Sequence, residues 1–260
     1  MNENGANMTF HLENKVVLIT GGGSGIGRAT AFACGRAGAS LVVADIDEEA
    51  GNETVALLKE RNTDALFVAA NVSNARDVEA LVQATVDRFG RLDCAFNNAG
   101  IEGPAVRMAD ISEEAFDQVI AVNLKGVWLC MKYEIRQMLR QEGGVIVNTS
   151  SVSGLVGTHS MASYAASKHG VVGLTRTAAV EYVRKGIRVN AVCPYFIRTP
   201  LAERAFEALP RLEQATIANN PNRRLGQPEE VADVVAWLFS DSASYINGAT
   251  LPIDGGYTAQ

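Results

Sequence analysis

The segment Thr20-Gly21-Gly22-Gly23-Ser24-Gly25-Ile26-Gly27 follows the apolar run Val16–Thr20 and opens a stretch of helical spacing, Ile26–Ala37. A strand that enters a helix through so many glycines constrains the fold more than any other part of the chain. Bare backbone can turn sharply there and let a pyrophosphate approach its N–H groups, and the helix N-terminus adds partial positive charge. Alone, a glycine-rich loop is often just a tight turn; between strand and helix it reads as a dinucleotide site. The next apolar run ends in Asp45, about 20 residues further on. A carboxylate there accepts hydrogen bonds from ribose hydroxyls and repels a 2′-phosphate, which predicts NAD rather than NADP. Ala44 and Ile46 flank Asp45, and the nearest basic residue, Arg28, lies inside the first helical stretch.

The same alternation continues along the chain. Candidate strands are Val16–Thr20, Leu41–Asp45, Ala65–Ala70, Cys94–Asn97, Val145–Thr149, Arg188–Val192 and Ala249–Ile253. Most are continuous apolar runs, as parallel strands covered on both faces require. Helical spacing fills the intervals, for example Asp47–Arg61, Ala75–Arg88 and Lys125–Arg140, and Ser112 reads as a helix cap. Gly38, Gly90 and Gly186 stand where helices should end. The expected architecture is α/β: a Rossmann-type, doubly wound parallel sheet of about seven strands with helices on both faces. Residues 14–260 are expected to form a single domain after a loose lead-in over 1–13. The stretch from about 199 to 227 holds Pro200, Pro210 and Pro221 around two helical patterns, Leu201–Leu209 and Arg211–Ala218, and is expected to be a substrate lid.

Bulk properties exclude several partners. The formal charge of −6 over 260 residues disfavours nucleic acid and anionic membrane surfaces. No apolar run reaches the roughly 18 residues of a membrane span. The opening MNENGANMTF lacks a leader pattern, and the four scattered cysteines, Cys34, Cys94, Cys130 and Cys193, read as buried free thiols, so the expected location is cytoplasmic. No Cys/His spacing suggests a metal.

Tyr164 and Lys168 stand at i and i+4 of a predicted helix, on one face. An ammonium beside a phenol favours the phenolate, giving a group that exchanges protons with an alcohol or ketone. Alone the spacing means little. Together with TGGGSGIG, Asn97–Gly100 (NNAG), Asn123, Ser151 at the end of a buried strand, and Tyr164–Lys168 (YAASK), it resembles the short-chain dehydrogenase/reductase superfamily from Lys15 to Tyr257.

The resemblance implies roles residue by residue. Tyr164 is the general acid/base, Lys168 lowers its pKa and holds the nicotinamide ribose, Ser151 orients the substrate oxygen, and Asn123 holds a water in a proton relay. Cofactor contacts are implied for Gly21, Ser24, Gly25, Ile26, Gly27, Asp45, Ile46, Asn71, Val72, Asn98, Ala99, Gly100, Pro194, Ile197 and Thr199, besides Tyr164 and Lys168. Asn71 replaces the family's usual aspartate, keeping an acceptor but losing charge. Tyr195 stands where the family usually has glycine; it should narrow the pocket or alter the loop, and joins Ser153 and His159 as an expected substrate neighbour. His169 is expected at a helix interface. The resemblance also implies a homotetramer, or a homodimer, through the helices near 125–140 and 162–179. No GxSxG elbow surrounds Ser151, against a hydrolase.

The implied activity is NAD-dependent interconversion of a small-molecule secondary alcohol and a ketone. A 3-oxoacyl-carrier-protein reductase shares most of these motifs, but Asp45 disfavours it; a catalytically idle NAD-binding protein is the third reading.

Overall fold

The computed structural model describes residues 11–141, 143–208 and 210–260. The apolar runs pair as β1 (Val16–Thr20), β2 (Ser40–Asp45), β3 (Ala65–Ala69), β4 (Cys94–Asn97), β5 (Gly144–Thr149), β6 (Ile187–Pro194) and β7 (Thr250–Ile253). They lie in one parallel sheet ordered β3-β2-β1-β4-β5-β6-β7. The strand order reverses beside β1, whose two neighbours are β2 and β4, and such a switch point opens a crevice at the strands' carboxyl ends. Register sets Thr20 beside Asn97, Asn97 beside Asn148 and Thr149 beside Val192 along that edge.

Helices cover both faces: α1 (Gly25–Arg36), α2 (Glu48–Glu60), α3 (Ala75–Phe89), α4 (Glu113–Ile120), α5 (Val127–Arg140), α6 (Ala162–Tyr182), α7 (Pro200–Ala208), α8 (Pro210–Asn219) and α9 (Pro228–Phe239). Alternate residues of β1 feed two cores. Val17 and Ile19 pack with Val43, Phe96, Val235 and Phe239 on the α1/α9 side. Leu18 packs with Leu81, Met138, Ile146 and Val171 on the other. Each such buried aliphatic side chain contributes about 1.5–3 kcal/mol. Asp47, Asn74 and Ser112 cap α2, α3 and α4 through their side-chain oxygens, and Gly38, Gly90 and Gly186 take positive φ.

Three expectations change. β6 runs two residues further than its apolar run, to Pro194, because Tyr195 N–H still bonds the Ile253 carbonyl beside it. The helix expected from Lys125 is the continuation of α4: a π-helical turn, Ala121–Gly126, joins α4 to α5. Such a turn inserts a residue without ending the helix, so apolar spacing alone hides it. Of the expected lead-in, residues 1–10 lie outside those described, but Leu12 is fully buried and its N–H bonds the Ala37 carbonyl. The last residue of the expected pattern Leu201–Leu209 also lies outside the described residues.

Candidate active site

The glycine turn is built from contacts no side chain would survive. A Cβ on Gly27 would sit 2.0 Å from the Gly21 carbonyl oxygen, and Gly21 itself has φ +64° against Ala99. Asn98 donates from Nδ2 to the Thr20 and Gly21 carbonyls (3.2 and 3.1 Å), while Thr20 Oγ1 accepts the N–H groups of Asn98 and Ala99. The loop after β4 thus braces the loop after β1. Ser24 stands at the N-cap of α1 without a side-chain capping bond. Facing it, Thr199 from the loop after β6 lies where a Cβ on Gly25 would be 3.1 Å from its methyl group.

At the adenosine end, Asp45 accepts from Gly23 N–H (2.8 Å) and Asp47 N–H (3.1 Å). Arg28 is committed elsewhere, to the Gly23 and Ala50 carbonyls and to Glu53. No basic side chain therefore answers Asp45 among these contacts. Ile46 beside it is 72% exposed. Asn71 Oδ1 accepts Ser73 N–H and Oγ, closing a local turn.

The four residues expected to carry the chemistry come together at the crevice. Ser151 follows β5 and its Oγ accepts Ser153 N–H at 3.1 Å. Tyr164 and Lys168 lie in the first turns of α6, and Ser151 is near enough to the tyrosine hydroxyl to pull its pKa down. Lys168 Nζ donates to the Thr149 carbonyl at 2.8 Å and lies 5.5 Å from the Tyr164 ring centre. Asn123, in the π turn, is fully buried; its amide accepts Ile101 N–H and donates to Ile101 O, both 2.8 Å, and to Ser167 Oγ. A Cβ on Gly100 would lie 3.2 Å from Asn123 Oδ1 and 3.7 Å from Lys168 Nζ.

Electrostatics correct one expectation. Burial pushes the Tyr164 phenol up to about 12; the Ser151 hydrogen bond opposes this and Glu102 adds to it. Burial likewise brings the Lys168 ammonium down to about 8. Desolvation is the largest cause for both groups.

The loop after β6 carries the aromatic departure. Tyr195 stacks on Tyr257 (4.2 Å, 18°) and meets Phe196 edge-on (5.1 Å), and Phe196 stacks on Phe206 of α7 (6.0 Å). Ile197 is buried and bridges Gly226, and Pro194 O lies 3.5 Å from Ser151 Oγ. Thr199 Oγ1 accepts Ala202 N–H at the start of α7. Ser153 is buried, with its hydroxyl held by Thr158. His159 is exposed, with its Nδ1 2.9 Å from Ser160 Oγ. His169 is also exposed, with its ring at the Ala165 carbonyl, rather than packed within the chain.

Two participants lay beyond the motifs. Tyr257 reaches the site because Asp254 gathers the N–H groups of Gly256 and Thr258 into a turn, whose Asp254 carbonyl takes Asn220 Nδ2. Glu102, half-buried, acts on Tyr164, and burial raises its own carboxyl above the usual range with Arg204 of α7 opposing. Its only sequence signal was its place just after NNAG.

A family model described as Enoyl-(Acyl carrier protein) reductase matches residues 21–258. Levodione reductase of Leifsonia aquatica is 46% identical over 258 residues, covering 96% of this chain and 97% of that protein. A crystal structure of levodione reductase superposes with TM-score 0.93 at 44% identity, over 96% of this chain and 99% of that one. Cyclohexanol dehydrogenase of Acinetobacter sp. (strain SE19) is 44% identical over 254 residues, covering 97% and 98%. The structure of NAD+-bound xylitol dehydrogenase superposes with TM-score 0.91 at 34% identity, over 94% and 99%.

Proposed function

The chain belongs to the short-chain dehydrogenase/reductase family, and from that premise we propose that it uses NAD(H) to interconvert cyclic secondary alcohols and their ketones. Interconversion of an alcohol and a ketone is the activity of this family branch. The observation that carries the cofactor choice is Asp45, held at the end of β2 while Arg28, the cation nearest in sequence, is engaged by Glu53. A 2′-phosphate there would meet a carboxylate and no partner. That also weighs against a 3-oxoacyl-carrier-protein reductase, an activity usually run on NADPH. The glycine turn fits a pyrophosphate because Gly21, Gly25 and Gly27 leave backbone where side chains would otherwise fill the space.

Bound NAD supplies the hydride acceptor. In oxidation, Ser151 and Tyr164 hold the substrate hydroxyl between them, and the Tyr164 phenolate takes its proton. Lys168, anchored on the Thr149 carbonyl, places a positive charge beside the phenol. Asn123 fixes the Ile101 backbone and lines the route toward Lys168. In reduction the protonated tyrosine returns the proton to the ketone oxygen. Because the phenol is held high, oxidation needs its proton removed and rises toward alkaline pH.

The cyclic substrate class draws support from levodione reductase and cyclohexanol dehydrogenase and from the Tyr195–Tyr257 stack, which offers a flat aromatic wall. Residues 14–260 act as one domain, with α7 and α8 as a lid whose small core joins Phe206 and Leu225 to Phe196 of the cofactor loop. Trp128, Phe116 and Leu139 on α4 and α5, and Val180 on α6, are exposed apolar groups that suit a homotetramer. No helix among the described residues is long and apolar enough to cross a membrane, and four buried free cysteines suit the cytoplasm. Turnover of cyclohexanol with NAD+ against NADP+, beside a linear secondary alcohol, tests the reading: preference for NADP+ would overturn the cofactor assignment, and preference for the linear alcohol the substrate class.

A further inference from the structure

Directly beneath the site, α5, β4, β5 and α6 contribute one fully enclosed polar row: Glu134, Asn97, Asn148 and Thr175. Asn97 and Asn148 are register partners on adjacent strands. The hydrogen bonds run in one direction. Asn148 Nδ2 donates to Thr175 Oγ1 (2.9 Å), which leaves Asn148 Oδ1 to accept from Asn97 Nδ2 (3.0 Å). Asn97 Nδ2 spends its other N–H on Glu134 Oε2, also at 3.0 Å.

The amide of Asn97 is therefore oriented, and its Oδ1 needs a donor. Among the described residues it has none, and neither does Glu134 Oε1 have a partner. These two orphans are the remaining polar atoms of the two planar groups already joined through Nδ2 and Oε2. A carboxylate and an amide oxygen would only repel; a carboxylic acid and an amide form a closed pair. One proton on Glu134 satisfies both atoms.

We propose that Glu134 works as an uncharged acid, donating from Oε1 to Asn97 Oδ1 while accepting from Asn97 Nδ2, and that this pair is a positioning clasp for the strand ends that carry the site. Asn98, next after Asn97, braces the glycine turn; Thr149, next after Asn148, holds Lys168; Thr175 lies two turns along α6 from Lys168. A shift of the clasp reaches the cofactor turn and the catalytic lysine together. The link to cofactor rests on the NAD reading above, whereas the protonation state does not.

The surroundings agree. β4, β5 and α6 present the neutral side chains Asn97, Asn148 and Thr175, α5 itself presents the Cys130 thiol one turn away, and no charged side chain of these elements or of α3 contributes to the state of Glu134. Burial pushes its carboxyl from 4.5 to about 8, against a downward pull from Asn97. An unfolded chain releases that proton near 4.5 while the folded chain keeps it to about 8. The unfolded state then binds fewer protons across this window, so stability falls as pH rises through it. The clasp thus sets an alkaline limit on the side where alcohol oxidation needs its phenolate.

Glu134→Gln is the diagnostic variant, because a glutamine amide makes the same paired contacts and cannot ionise. Melting of the cofactor-free protein at about pH 5 should match wild type, and at about pH 9 the variant should melt several degrees higher. Glu134→Ala should melt lower at both pH values and weaken NADH binding several-fold, a loss the glutamine variant recovers. An infrared difference between wild type and the glutamine variant at neutral pH should carry the carbonyl stretch of a protonated carboxyl, a readout that survives even if a variant folds poorly. A gap between wild type and Glu134→Gln that does not change with pH, or a carboxylate signature in place of the acid band, would overturn the proposal. Loss of NADH preference alone would instead count against the cofactor reading.

Discussion

The two sides of the crevice are made of different material. The side proposed to meet the dinucleotide is backbone: glycines, main-chain N–H groups and the bonds from Asn98 to the Thr20 and Gly21 carbonyls. The side proposed to meet the substrate is side chain: Tyr195, Tyr257, Phe196 and Phe206 in a row. NAD and NADP share one pyrophosphate, so a fixed backbone cradle serves either. A substrate differs, and residues from three distant segments of chain form its wall. Tyr164 stands where the two sides meet.

The largest effect falls at that meeting point. Tyr164→Phe keeps the ring and removes the exchangeable proton, so kcat for alcohol oxidation should fall about 10²- to 10⁴-fold, with NADH binding by fluorescence unchanged. Equal losses in both would mean that the tyrosine belongs to the cofactor side alone. Next comes Asp45→Ala. Removing a charged hydrogen-bonding group worth about 1.5–3 kcal/mol should shift the NADH-to-NADPH ratio of kcat/KM about 10- to 100-fold toward NADPH, while the ranking of alcohols stays as it was. A changed ranking would break the division between the two sides.

Tyr195→Gly reverses the pattern. The ratio of cyclic to linear alcohol turnover should change several-fold with the cofactor KM little affected; an unchanged substrate range would remove Tyr195 from the wall. Tyr257→Ala is smaller still. It removes one stacked pair worth about 0.5–1.5 kcal/mol, and a modest rise in the KM for cyclic alcohols, without a change in that for NAD+, is expected from initial rates.

This division also explains what was legible in the sequence. The strands read correctly because buried parallel strands are continuous apolar runs, and β1 and β4 match residue for residue. The glycine turn and the helical Tyr164–Lys168 spacing were legible because each lies within a few adjacent positions. The π turn at Ala121–Gly126 was not, since a single inserted residue leaves the apolar spacing almost intact. Glu102 was marked as a neighbour of the site by its place just after NNAG, whereas Tyr257 escaped because its position beside Tyr195 depends on how the C-terminal turn folds back, which no local pattern encodes. Burial, the largest cause acting on both Tyr164 and Lys168, is legible only in three dimensions.

The most direct test of Tyr164 as the group that takes the alcohol proton is the pH dependence of kcat/KM for cyclohexanol oxidation by NAD+, measured with protiated and carbinol-deuterated alcohol. A primary isotope effect identifies hydride transfer as the step observed. With that effect present, the account predicts a rate that climbs from neutral to alkaline pH in wild type and an alkaline climb that is absent in Tyr164→Phe. A flat wild-type profile with the isotope effect intact would contradict it.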